Sequence, residues 1–134
     1  MELNLSGKVA LITGSSRGIG RAIAEMLYAE GCKVVLNGRN KKDLESAMTE
    51  MPGAISVLGD VSSPDDTRRI LFDVIQSFGK LDILVCNVGS GRSVLPGEET
   101  FDEWQRVFAQ NLWSTTNCVE ASRDALEESQ GFIV

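Results

Sequence analysis

The stretch Thr13-Gly14-Ser15-Ser16-Arg17-Gly18-Ile19-Gly20 decides the fold of this 134-residue chain. A short apolar run, residues 9–12, precedes it, and apolar residues at helical spacing follow it as far as Gly31. The pattern predicts a buried strand, a tight glycine-rich turn and a helix, in that order. Because glycine lacks Cβ, an anionic group can approach the backbone N–H groups of such a turn at the positive end of the helix.

The rest of the chain repeats this alternation of strand and helix. The further predicted strands are 33–37, 55–58, 81–86 and 131–134, and the further predicted helices are 41–51, 64–78 and a long one over 100–128. Alternating units with short connections specify a parallel sheet covered by helices on both faces. We therefore predict an α/β fold, a doubly wound parallel sheet of the Rossmann type, with residues 1–134 as a single domain that ends in its fifth strand.

Composition excludes several classes of function. Nineteen acidic against thirteen basic residues give a net charge of −6, which argues against nucleic-acid or anionic-membrane binding by bulk charge. The chain has no histidine, and its three cysteines form no CxxC pair, so we expect no Ser-His-Asp triad, no disulfide framework and no metal site. The N-terminus lacks an apolar segment, and we expect a cytoplasmic protein.

The glycine turn predicts a dinucleotide site. In dinucleotide folds an acid at the end of the second strand holds the ribose 2′-hydroxyl, whereas an arginine accommodates a 2′-phosphate. Here that place reads Asn37-Gly38-Arg39, and Arg17 in the turn could add a second positive charge. NADP(H) is therefore favoured over NAD(H), the alternative being that both arginines are solvated surface charges. Asp60, after the third strand, could accept a hydrogen bond from adenine or could instead cap a turn with Ser62 and Ser63.

Four motifs in order resemble the short-chain dehydrogenase/reductase family, classical type: the glycine turn, Asp60-Val61, Asn87-Val88-Gly89 and Asn111. The nearest group is that of the 3-oxoacyl-acyl-carrier-protein reductases. The resemblance implies a homo-oligomer acting on a small carbonyl, alcohol or acyl-thioester substrate. It implies a catalytic role for Asn111, in a helix irregularity, and a cofactor site formed by Gly14, Ser15, Ser16, Arg17, Gly18, Ile19, Gly20, Arg39, Asp60, Val61, Asn87 and Gly89. Asn111 could instead only satisfy a neighbouring backbone group.

The chain departs from the family pattern in two places. Cys86-Asn87-Val88-Gly89 stands where the family has an Asn-Asn-Ala-Gly run, so one asparagine is lost and a larger side chain faces the cofactor region. The catalytic Ser, Tyr and Lys of the family are also absent. The only tyrosine, Tyr28, lies within a predicted helix and is expected to be structural. We therefore expect the N-terminal, cofactor-binding part of an oxidoreductase, inactive by itself. A non-catalytic dinucleotide-binding module and a truncated interaction protein remain the alternatives.

Overall fold

A computed structural model of the chain describes residues 3–134. Its strands are β1 (Val9–Ile12), β2 (Lys33–Gly38), β3 (Ile55–Leu58), β4 (Ile83–Val85) and β5 (Phe132–Ile133). Its helices are α1 (Gly18–Ala29), α2 (Lys41–Met48), α3 (Pro64–Phe78), α4 (Phe101–Phe108) and α5 (Ser114–Ser129), with a π-helical segment, Ala109–Trp113, between the last two. The strand order is β3-β2-β1-β4-β5 and every neighbouring pair is parallel, which confirms the predicted α/β class.

The sheet has an apolar core on each face, because successive side chains of a strand point to opposite sides. In β1, Val9 and Leu11 face the core under α3 and α5, whereas Ala10 and Ile12 face the core under α1 and α2. All four side chains are fully buried. Helices on both faces make the fold doubly wound, as predicted.

The bounds of several elements differ from the prediction, including β2, which extends to Gly38, and β5, which covers only Phe132–Ile133 of the predicted 131–134. Strand β4 covers only Ile83–Val85 of the predicted 81–86, and α2 ends at Met48 rather than at residue 51. The predicted long helix is divided by the π-helical segment Ala109–Trp113, a local change of hydrogen-bond pattern that apolar periodicity does not reveal. The irregularity does include Asn111, as the family resemblance implied.

The strand order places a crevice at the carboxyl end of the sheet. From β1 the chain moves through α1 to β2 and then to β3, and it returns through α3 to β4 on the other side of β1. Connections therefore leave β1 and β4 in opposite directions, which is where doubly wound folds bind ligands. Within residues 3–134, no helix combines the length and the apolar character required to cross a membrane.

Candidate functional site

A cavity of about 890 Å³ opens at the carboxyl ends of β1, β2, β3 and β4. Ten of the thirteen predicted site residues line it: Gly14, Ser16, Arg17, Gly18, Ile19, Arg39, Asp60, Val61, Asn87 and Gly89. Ser15, Gly20 and Asn111 are the three that lie outside the lining. The spacing of the motifs along the chain therefore brings most of the predicted residues to one crevice.

The amino end of α1 opens into this cavity without a side-chain cap. Arg17 occupies the N-cap position and its side chain makes no capping hydrogen bond. The helices α2, α3 and α4, in contrast, begin with capping side chains on Asn40, Ser63 and Thr100. Gly18 has a φ of +60°, and a Cβ placed there would meet no protein atom within 4 Å. The partial positive charge of α1 and open space beside its backbone suit a phosphate group.

The side chain of Ser15 supports the turn from inside the protein and does not line the cavity. It is fully buried; its hydroxyl donates to the carbonyl oxygen of Ile12 at 2.6 Å and accepts from the backbone N–H of Asn37 at 3.0 Å. The side chain thus links the end of β1 to β2. This placement differs from the expectation that Ser15 lines the cofactor.

Asn37 is a structural residue, although its place in the sequence indicated only that no acid stands at the end of β2. Its side-chain NH₂ donates to the carbonyl oxygens of Val57 and Gly59 at 3.1 and 3.2 Å. Its Oδ1 lies 3.5 Å from the backbone nitrogen of Gly14. The side chain is 1% exposed, so it holds the ends of β1, β2 and β3 together and is not available to a ribose. The sequence feature that could have predicted this structural role was a polar residue within an otherwise apolar strand.

The side chain of Asn87 holds the end of β4 against the glycine turn. Its side-chain NH₂ donates to the carbonyl oxygens of Thr13 and Gly14, at 3.0 and 3.2 Å. Its backbone N–H donates to the hydroxyl of Thr13 at 3.0 Å. The next residue, Val88, packs so closely on the turn that a Cβ on Gly14 would lie 3.0 Å from its Cγ2. The side chain of Val88, where the chain departs from the family pattern, therefore contacts the glycine turn.

Arg39 reaches across the cavity mouth to Asp60. Its guanidinium lies 3.6 Å from the carboxylate of Asp60, and the two side chains are 68% and 40% exposed. Ion pairs this exposed contribute little to stability, so Arg39 can exchange its partner for a ligand phosphate. Asp60 also caps a turn, because its Oδ1 accepts from the backbone N–H and the hydroxyl of Ser62 at 2.9 and 2.7 Å.

The carboxylate of Asp66 orients the turn that carries Asp60. It accepts the backbone N–H of Asp60 at 2.9 Å, and this hydrogen bond, together with the guanidinium of Arg69, lowers the pKa of Asp66. Val61 follows in the same turn and is only 2% exposed, although it lines the cavity. The structural reading of Asp60 as a turn cap is thus observed, and a contact with adenine remains compatible with its exposure.

Asn111 connects the π-helical segment to the loop after β4. Its Oδ1 accepts the backbone N–H of Ser90 at 2.8 Å, and its NH₂ donates to the carbonyl oxygen of Val107 at 3.0 Å. A Cβ on Gly89 would lie 3.2 Å from the same Oδ1, so the loop passes close to the helix. The side chain does satisfy neighbouring backbone groups, and by doing so it positions residues 89 and 90 beside the cavity.

A family model described as short chain dehydrogenase matches residues 8–134. The chain belongs to this family. Among its relatives, the Arabidopsis thaliana 11-beta-hydroxysteroid dehydrogenase 1A is 38% identical over 137 residues, covering 98% of this chain and 39% of that protein. A Streptomyces violaceoruber protein whose name describes a ketoacyl reductase of the granaticin polyketide synthase is 38% identical over 115 residues, covering 81% of this chain and 46% of that protein.

A solved structure agrees with the fold of this short chain dehydrogenase. The crystal structure of L-sorbose reductase from Gluconobacter frateurii, complexed with NADPH and L-sorbose, superimposes with a TM-score of 0.92 at 32% identity, covering 99% of this chain and 53% of that one. The chain therefore spans from 39% to 53% of the length of these three relatives. The names of the three differ in substrate, and they share the family.

Proposed function

We propose that the complete gene product is an NADP(H)-dependent oxidoreductase, which reduces a ketone or 3-oxoacyl group or oxidises the corresponding secondary alcohol. Residues 1–134 are proposed to form its single dinucleotide-binding domain. The observation that carries the proposal is one cavity bordered by both the uncapped amino end of α1 and the exposed guanidinium of Arg39. That pair of features suits a pyrophosphate and a 2′-phosphate held a few ångströms apart.

The preference for NADP(H) over NAD(H) rests on the end of β2. Of the three residues at that place, Asn37 directs its side chain into the protein, where backbone groups satisfy it, and Gly38 has no side chain. Arg39 is left as the charged side chain of that turn, and Arg17 borders the same cavity. An arginine fork binds phosphate through charge-assisted hydrogen bonds, whereas a ribose hydroxyl gains less from it.

The predicted site residues would have different roles, some in the cavity lining and some behind it. The backbone of Gly14, Ser16, Gly18 and Ile19 would receive the pyrophosphate, and Asp60 and Val61 would contact the adenine. Ser15, Gly20 and Asn87 shape the turn, and Gly89 with Asn111 places the loop next to the nicotinamide half. Bound NADPH would supply a hydride to the substrate carbonyl. Asn111 is the residue of this chain that we assign to the catalytic centre, and we assign it as a support.

The chain by itself is proposed to bind cofactor without turnover. Its single tyrosine, Tyr28, donates its hydroxyl to the carbonyl oxygen of Pro52 at 2.8 Å and lies outside the cavity lining. A developing alkoxide would therefore find no tyrosine of residues 3–134 as proton donor. Loss of such a donor costs about 10²- to 10⁴-fold in rate.

We also propose that the protein is cytoplasmic and that it forms a homo-oligomer. Exposed apolar side chains on α4 and the π-helical segment support the assembly: Phe101, Trp104, Phe108, Leu112 and Trp113. Exposed apolar patches of this kind mark surfaces that bind another protein.

The proposed function is tested by titrating the complete gene product with NADPH and with NADH, and by assaying it with a panel of small ketones and acyl thioesters. We expect NADPH to bind about tenfold or more tightly than NADH, and carbonyl reduction to consume it. Residues 1–134 expressed alone should show no turnover in the same assay. Equal affinity for the two cofactors would contradict the NADP(H) assignment, and turnover by residues 1–134 would contradict the account of the proton donor.

A further inference from the structure

The charges around the cavity are opposite to those of the chain as a whole. The chain carries nineteen acidic and thirteen basic residues. Four arginines but only two aspartates line the cavity: Arg17, Arg39, Arg92, Arg106, Asp43 and Asp60. A positive cleft on an acidic protein attracts anions, both by steering and by local binding.

The four arginines form two groups at different strand ends. Arg39 follows β2 and Arg17 lies in the turn after β1, whereas Arg92 lies in the loop after β4 and Arg106 lies on α4. The order of the strands is β3-β2-β1-β4, so Arg39 and the second group lie on opposite sides of the glycine turn, which itself carries Arg17. If the cofactor lies as proposed above, its adenine, 2′-phosphate and pyrophosphate occupy the ends of β3, β2 and β1 in turn. Its nicotinamide riboside, which brings no anionic group of its own, and the substrate are then left for the end of β4.

Of the two arginines in the second group, Arg106 is already paired with an acidic side chain. Its guanidinium is held by the carboxylate of Glu103 at 2.6 and 2.9 Å, and it also donates to Gln110 Oε1 at 3.2 Å. The hydrogen bond from Arg106 lowers the pKa of Glu103, so the pair is fully ionised at neutral pH. A compensated arginine offers little net charge to a ligand.

Hydrogen bonds hold the backbone of Arg92, whereas its side chain has no partner among the residues that the structure describes. Its backbone N–H donates to the hydroxyl of Ser90 at 3.1 Å, and its carbonyl oxygen accepts from Arg106 at 2.9 Å. Ser90 is itself held by Asn111 at 2.8 Å. Among residues 3–134, no side chain or backbone acceptor is within hydrogen-bond or ion-pair distance of the Arg92 guanidinium. The loop is thus tied down on both sides of an arginine that borders the cavity.

We propose that Arg92 binds an anionic group of the substrate, so that this site takes carbonyl compounds or alcohols that carry a carboxylate or a phosphate. The inference rests on the proposed function, because it places the substrate beside β4. Arg106 is a positioning residue here, since it acts on the carbonyl oxygen of Arg92.

The test measures binding to the complete gene product saturated with NADP⁺, since a ketone bound beside oxidised cofactor does not react. Isothermal titration calorimetry is carried out with two matched pairs of ligands: acetoacetate against methyl acetoacetate, and dihydroxyacetone phosphate against dihydroxyacetone. Each pair keeps the carbonyl and changes the charge, and the two pairs separate a carboxylate from a phosphate. We expect the anion of at least one pair to bind about tenfold or more tightly than its neutral partner.

Arg92→Gln should remove that preference and leave the affinity for NADP⁺ and for the neutral ligands within about twofold. The matched control is Arg123→Gln, an exposed arginine of α5 outside the cavity lining, which should keep the preference. Equal binding of charged and neutral ligands by the unaltered protein would overturn this inference and leave the proposed function standing. An Arg92→Gln variant that loses NADP⁺ affinity would also overturn it, by assigning Arg92 to the cofactor. Failure to bind NADP⁺ at all would overturn the proposed function and this inference together.

Discussion

Gly20 lies directly beneath the side chain of Asn87, so that a Cβ on Gly20 would be 2.4 Å from the Asn87 Nδ2 and 2.6 Å from the carbonyl oxygen of Gly14. The first turn of α1 therefore packs against the same amide that ties β4 to the glycine turn. Gly20 is needed for packing, whereas Gly18, with open space around it, is needed for backbone conformation and for access.

Replacement of Gly20 by alanine should destabilise the protein. The new Cβ must displace Asn87 or the backbone of Gly14, and overpacking of this kind costs about 1–3 kcal/mol. Urea denaturation of the complete gene product measures the loss. Gly91→Ala is the control, because Gly91 has open space and no positive φ, and it should shift the free energy of unfolding by less than about 0.5 kcal/mol. An unchanged midpoint for Gly20→Ala would show that the packing relaxes freely.

Replacement of Gly18 by valine should abolish dinucleotide binding. Valine strains a backbone with φ +60° and fills the space through which a phosphate approaches α1. We expect the dissociation constant for NADPH, followed by its fluorescence, to rise about 100-fold or more. Gly53→Val carries the same kind of strain at φ +89°, also in open space but outside the cavity lining, and it should bind NADPH normally. A folded Gly18→Val protein with intact NADPH affinity would be incompatible with the proposed phosphate site.

Replacement of Arg39 by aspartate should invert the cofactor preference. The change removes a phosphate partner, adds an acceptor for a ribose 2′-hydroxyl, and repels the 2′-phosphate. Loss of charge-assisted hydrogen bonds predicts a fall in NADPH affinity of about 10- to 100-fold, with NADH affinity equal or improved. Arg123→Asp on α5 makes the same charge change away from the cavity. If NADPH bound the Arg39→Asp variant as before, the 2′-phosphate would have another ligand.

Acid should lower the stability of the protein by protonating Asp82, which lies at the amino ends of strands β1 and β4. Burial opposes ionisation of this carboxylate, but the N–H of Val9 at 2.8 Å and the ammonium of Lys80 at 3.0 Å outweigh it, with Lys8 farther off, so its pKa is lowered. A pKa below the ordinary 3.8 means that the stabilisation is fully present above that pH and is lost as the pH falls through the folded value.

Asp82→Asn tests this account. It should lower the free energy of unfolding by about 1–3 kcal/mol at pH 7, since a buried charged hydrogen-bond partner is lost. Its stability should then depend less on pH below about 4 than that of the unaltered protein. Glu45→Gln, which affects an exposed ion pair with Lys41 at 3.8 Å, should change neither quantity appreciably. The same acid dependence in Asp82→Asn as in the unaltered protein would rule out Asp82 as its source.

Local sequence determined the elements of this protein because strand and helix signals act over short distances. The run Val9-Ala10-Leu11-Ile12 is apolar on both sides of the sheet, and Ser63 with Pro64 marks the start of α3, so these bounds were predicted correctly. The alternation of such elements leaves few topologies besides a parallel doubly wound sheet. The end of the sheet that carries the cavity follows from the same reasoning, since the glycine turn comes after a strand.

Only the tertiary structure decided what the individual polar side chains do. Ser15, Asn37 and Asn87 belong to segments far apart in the sequence, and their hydrogen bonds form only when the carboxyl ends of the strands come together. No local pattern distinguishes a side chain that faces a ligand from one that satisfies buried backbone groups, because the difference lies in which strand end is adjacent. The sequence therefore indicated that Arg39 brings a charge to the cavity. Only the folded chain showed that Arg39 pairs with Asp60 and that Arg92 has no partner within residues 3–134.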